Sequence, residues 1–141
     1  MDAVRQIFRD DPNVVVTQGR SGMLRIMIGS VSPAILQARI RAITLNPIEQ
    51  YNVLSAVDEI AGTAGNYARE HELHLRLAPF VIDHLVSGPV EGAPHLPAVL
   101  RNVTVDEALD AVVRKFYGIA LYGTCVRPDG KELFMIGYTN G

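Results

Sequence analysis

The stretch LPAVLRNVTVDEALDAVVRKFYGIALYGTCVRPDGKELFMIGY, from Leu96 to Tyr138, limits what this chain can fold into more than any other, because each of its structural junctions carries its own signal. Thr104 opens a T-x-x-E capping box: its hydroxyl can accept from the amide of Glu107 while the Glu107 carboxylate accepts from the amide of Thr104. Val105, Ala108, Leu109, Val112, Val113 and Phe116 then recur at helical spacing as one apolar stripe, leaving Asp106, Asp110, Arg114 and Lys115 for water. Gly118 can take the left-handed conformation that ends a helix, and the β-rich run Ile119 to Cys125 follows it. Arg127-Pro128-Asp129-Gly130 supplies a turn, and Lys131 to Tyr138 returns as a second strand. The whole predicts a β-α-β-β unit.

Upstream, the runs Asn13–Gln18 and Met23–Ile28 flank Gly19-Arg20-Ser21-Gly22 and predict a β-hairpin. Ser32-Pro33 signals a helix start, and Ile35, Leu36, Ile40 and Ile43 make a helical stripe that stops before Asn46-Pro47. A second helix is predicted around Leu54, Val57, Ile60 and Ala61, broken at Gly62, with a short helix from Thr63 to Glu72 continuing it. Leu73 to Leu77 alternates like a half-buried strand that Ala78-Pro79 ends. The glycines and prolines between Val86 and Pro97 read as a connection. The division expected is therefore an N-terminal α/β portion over 1–85, a link over 86–97 and the β-α-β-β unit over 98–141, packed as one domain. The fold class is α+β, with small mixed or antiparallel sheets against amphipathic helices. A strand entering a capped helix occurs twice, at LRIMIG-Ser30-Val31-Ser32 and AVLR-Asn102-Val103-Thr104, a phrase too common to establish duplication.

With 141 residues, 48% hydrophobic and 20% charged, the chain can bury a core and lies far from the disordered class. A net charge of -2 and the lack of a basic run argue against nucleic acid. No run approaches the ~18 apolar residues of a membrane span, and the start MDAVRQIFRDDPNVVV is not a signal peptide. The single Cys125 excludes an internal disulfide and leaves the compartment open: periplasmic if a signal was removed, otherwise cytoplasmic.

The phrase Asn102-Val103-Thr104-Val105-Asp106-Glu107-Ala108-Leu109, between a strand and a closing hairpin, resembles the short N-terminal domain shared by secretins and TonB-dependent transducers. The whole chain also looks like small bacterial proteins that carry such a module behind an extra α/β portion. The resemblance spans Leu96 to Tyr138 and implies a protein-interaction module of the bacterial cell envelope, not an enzyme. The sequence departs from the pattern in that no secretin core, β-barrel or membrane segment follows Gly141.

No constellation of side chains spells a reaction. His71, His74, His84 and His95 cluster in one quarter of the chain, but their spacing matches no metal motif, and histidines at element ends usually bond nearby carbonyls. Cys125 lies late in a strand without a local base. Asp58 and Glu59 are adjacent on a helix and so diverge; Arg20, Arg25, Arg39 and Arg41 could share a surface, but Arg39 and Arg41, read as two apart on a helix, diverge as well. Gly19-Arg20-Ser21-Gly22 could cradle an anion beside Arg20 or be a plain hairpin loop; Arg25 lies just beyond. No cofactor or metal is therefore expected. Two functions remain: a non-catalytic interaction module with a protein partner or a second copy, and a small-molecule-binding domain or enzyme with a site in the histidine-containing loop 71–95. The first places its contact on the strand Lys131–Tyr138, whose Leu133, Phe134, Met135 and Ile136 form an uncharged run. Such a strand, or the hairpin at Val14 to Ile28, should pair within the chain, joining the two halves into one sheet, or make a contact with a second copy or a partner.

Overall fold

The computed structural model of the chain describes residues 2–12, 14–19, 22–28, 33–73, 75–79, 89–130 and 132–139. The fold is α+β, and its backbone separates into two compact units, Met1–Ser32 and Pro33–Gly141.

The first unit holds α1 (Asp2–Ile7), β1 (Val14–Gln18) and β2 (Leu24–Ile28). Helix α1 is too short to leave a periodic signal in the sequence. The hairpin forms where its two runs place it, with Val14 opposite Ile28 through Gln18 opposite Leu24. Its loop is closed from within: the Gly19 amide donates to Met23 O at 2.9 Å, the Gly22 amide to Gly19 O at 2.9 Å, and Gln18 Nε2 to Gly22 O at 2.9 Å.

In the second unit the helix predicted toward Ile43 is only α2, Pro33–Leu36; Arg39–Thr44 is strand β3 instead. The reason lies in how β3 pairs. Its antiparallel partner is β5 (Val99–Thr104), with Ile40 opposite Val103 and Ala42 opposite Arg101, and the pairing is interrupted between them at Arg41 and Asn102. Asn102 sits there at φ 51°, a left-handed conformation that asparagine tolerates. The register is the same on both sides of the interruption, but the alternation of faces shifts by one position in each strand, so Arg41 and Ala42 are both exposed, as are Arg101 and Asn102. Ile40 and Ile43 are consequently both buried at a spacing of three, which imitates a helix.

Asn46-Pro47, expected to end a helix, starts one. Asn46 Oδ1 accepts from the amides of Ile48 (2.8 Å) and Glu49 (3.0 Å), and Glu49 Oε2 accepts from the Asn46 amide at 2.7 Å, a complete capping box for α3 (Pro47–Tyr51). Asn52 then caps α4, accepting from the Ser55 amide at 3.0 Å. Helix α4 runs from Val53 to Glu70 without the break expected at Gly62, because Ala56, Val57, Ile60, Ala61, Ala64 and Ala68 continue one buried stripe past it. Gly62 is exposed, and the ~1 kcal/mol a mid-helix glycine costs is outweighed by that packing. Past the helix, Glu72 at φ 53° lets the Glu72 amide donate to Arg69 O and the Leu73 amide to Ala68 O. This C-terminal motif uses Leu73, so strand β4 begins two residues later than predicted and covers Leu75–Pro79.

The β-α-β-β unit is present as β5, α5 (Val105–Phe116), β6 (Ile119–Val126) and β7 (Glu132–Thr139). Its capping box forms, the Glu107 amide donating to Thr104 Oγ1 at 3.1 Å and the Thr104 amide to Glu107 Oε2 at 2.8 Å. The Arg127–Gly130 turn closes with the Gly130 amide on Arg127 O at 2.9 Å. The unit does not make one sheet, however. β5 pairs with β3 alone, whereas β7 is the central strand of a mixed sheet ordered β4-β7-β6, parallel to β4 and antiparallel to β6. Helix α4 packs on β3 of one sheet and on β4 and β7 of the other, and α5 packs on β5 of one and β6 of the other. Helix α4 thus touches both sheets, and α5 lies against α4. The alanines of α4 let it approach α5, whose Val105, Ala108, Leu109 and Val112 fill the layer with Ile60, Phe134 and Ile136. Asp110, assigned to solvent by its polarity, is 8% exposed and engaged in a polar interaction.

Candidate interaction edge

Strand β6 leaves α5 through a junction built differently from the glycine stop its sequence suggests. Tyr117, not Gly118, takes the left-handed conformation, at φ 57°. Gly118 serves a separate need. A Cβ there would lie 2.1 Å from Cζ and the phenol oxygen of Tyr138. That ring lies over the end of α5, and its hydroxyl donates to Phe116 O at 3.0 Å, occupying one of the carbonyls a helix leaves unpaired at its C-terminus. Burial pushes the Tyr138 phenol pKa up from its ordinary 10.0.

Held this way, β6 alternates across its two faces. Tyr122 and Ala120 stand opposite Ile136 and Tyr138 on the side toward the helices, and the Tyr122 ring stacks beside Phe134 at 6.3 Å between centroids. Ile119 and Leu121 point the other way and are 58% and 53% exposed, next to Tyr117 at 86%. Gly123 follows them on the outer face, and a Cβ added there would meet nothing within 4 Å. Among the described residues β6 is an edge strand of its sheet, and it carries no charged residue or proline from Ile119 to Val126. The other edges of this unit are guarded: β3 carries Arg39 and Arg41, β5 carries Arg101, and β4 carries Arg76 and Pro79.

The strand singled out from sequence is therefore not the edge. Leu133, Phe134, Met135 and Ile136 lie on β7, which has a neighbour on both sides; Phe134 and Ile136 are fully buried, and Leu133 and Met135 half-buried. An apolar run without charge suits a central strand at least as well as an exposed one, and the parallel strand β4 supplies the second neighbour. The in-chain alternative is the one realised, and it ties residues before the 86–97 connection to residues after it. What sequence missed is Ile119, Leu121 and Gly123; the uncharged β6 was legible, its position at the rim was not.

Among the described residues the histidine candidates His71 and His95 have separate local partners. His71 Nδ1 lies 2.9 Å from Tyr67 O with its ring stacked on Tyr67, and His95 Nδ1 lies 3.1 Å from Ala93 O with its ring on Tyr51. His74, His84, Arg20 and Ser21 lie outside the described residues. Glu59 accepts from the Thr63 hydroxyl at 3.1 Å, and Asp58 has an interaction of its own. Arg39 donates to Asn102 O and lies 3.8 Å from Glu107, bracing the capping box of α5 from β3. Cys125 is placed opposite Leu133 in the β6–β7 pair. Among the described residues no three His, Cys, Asp or Glu side chains gather to hold a metal, and no helix is long and apolar enough to cross a membrane. Comparison of the chain with protein-family models, with curated proteins and with solved structures finds no match.

Proposed function

We propose that this chain is a non-catalytic protein-interaction module that binds by adding a strand to the rim of its three-stranded sheet. The observation that carries the reading is the unguarded edge β6, uncharged along its length and flanked by exposed Tyr117, Ile119 and Leu121. An open edge offers unpaired backbone groups for affinity and alternate side chains for selectivity. The cell envelope as its location, and a kinship with the short N-terminal domain of secretins and TonB-dependent transducers, rest on the Asn102–Leu109 phrase and on the order β5-α5-β6-β7. The test is affinity capture from separated envelope and cytosolic fractions of the native organism, using the wild-type chain beside Leu121→Lys. A protein retained from the envelope by wild type and lost with Leu121→Lys is the expected result. Equal retention by the two would refute the assignment to β6, and retention from the cytosol alone would refute the compartment.

A further inference from the structure

Strand addition at β6 leaves the kind of partner open. Resting on that mode of binding, we propose that β6 pairs with β6 of a second copy of this chain, antiparallel about a twofold axis beside Leu121, so that two sheets join in the order β4-β7-β6-β6-β7-β4.

Charge is the first support. Self-pairing of β3, β4 or β5 would bring arginines of both copies to one seam, through Arg39 and Arg41, Arg76 or Arg101. β6 alone among the edges of this unit brings no charge to its own copy, and it also supplies the uncharged apolar strand that such an edge needs opposite it.

Shape is the second. A twofold axis normal to the sheet reverses the strand, and opposite residues of an antiparallel pair share a face. Only registers that set odd against odd and even against even keep Ile119 and Leu121 on the outer face with their counterparts. Centred on Leu121, the register puts Leu121 against its copy and Ile119 opposite Gly123, where the added side chain finds open space. On the inner face the small Ala120 comes opposite the large Tyr122. Each bulky residue beside the axis thus meets a small one, while the exposed leucines cover each other.

Sedimentation equilibrium on the full chain tests this. Wild type is expected to show a monomer–dimer equilibrium at concentrations between ~1 μM and ~1 mM. Leu121→Lys would set two ammonium groups side by side and raise the dissociation constant by about two orders of magnitude. Because Leu121 is half exposed, circular dichroism should show the variant folded. The register has its own readout: Leu121→Cys in a Cys125→Ser background should oxidise to a disulfide-linked dimer, paired strand positions lying within disulfide range. Thr139→Cys, exposed on the same sheet but one strand inward, should not. A wild-type chain that stays monomeric to ~1 mM overturns the proposal, as does a Leu121→Lys dimer as tight as wild type. If the chain is monomeric yet Leu121→Lys still abolishes capture from the envelope fraction, self-pairing falls and the interaction reading stands; if the substitution affects neither, both fall.

Discussion

Gly118→Ala should destabilise this protein through a collision and not through backbone strain. Gly118 is outside the left-handed region, so its backbone admits alanine. The added methyl would nevertheless sit 2.1 Å from Cζ and the hydroxyl oxygen of Tyr138 and 2.5 Å from Cε2, well inside van der Waals contact. The ring must move, and overpacking of this kind costs about 1–3 kcal/mol. Its movement also breaks the 3.0 Å bond from the hydroxyl to Phe116 O, a further ~1 kcal/mol. Against this, replacing glycine reduces the freedom of the unfolded chain and returns about 0.4–1 kcal/mol. The net expectation is a loss of about 2 kcal/mol, read as a shift of the urea midpoint at unchanged slope or as a Tm lower by roughly 8 °C. The origin of the loss is separable by a double-mutant cycle with Tyr138→Ala. Once the ring is gone alanine has nothing to strike, so the double variant should be more stable than the sum of the single effects implies, by about 1–3 kcal/mol. Wild-type stability for Gly118→Ala, or additive effects in the cycle, would refute the account of this junction.

Thr104→Ala removes the acceptor for the Glu107 amide and should cost about 1 kcal/mol in urea unfolding, with Thr104→Ser nearly silent. Leu109→Ala empties a site 2% exposed between α5 and its neighbours and should cost about 2–5 kcal/mol, where a loss under ~1 kcal/mol would contradict the assigned helix face. Tyr117→Gly relieves a left-handed tyrosine whose side chain is almost wholly exposed, and a raised Tm with a gain of about 0.5–1 kcal/mol is expected. Because the folded state holds the Tyr138 phenol neutral above its ordinary pKa of 10.0, the unfolded chain ionises first as pH rises. Tyr138 therefore contributes its full stability below pH 10.0, and this is lost above it; a denaturation series across that range should fall more steeply for wild type than for Tyr138→Phe.

Local signals were sufficient at most junctions made by neighbours in sequence, the Asn46–Glu49 capping box being an exception. The Thr104 box, the α5 stripe, the Arg127–Gly130 turn and the β1–β2 hairpin all form as their residues dictate, since each closes within a few positions and needs no distant partner. The departures have the opposite character. Ile40 and Ile43 become strand residues because β5 lies beside them and the alternation of faces shifts at Arg41 and Asn102, and Gly62 remains helical because one face of α4 is buried on both sides of it. Tyr138, twenty-two positions from Phe116, takes over the end of α5 and decides which residue there must be glycine. The candidate site shows the same division. That β6 and β7 are uncharged apolar strands was legible in their residues. Which of them is covered was decided by β4, a strand some fifty positions upstream of β7, whose parallel pairing makes β7 central and leaves β6 at the rim. Strand character is set by side chains a chain carries locally, whereas exposure depends on which distant backbone fills the neighbouring row of hydrogen bonds.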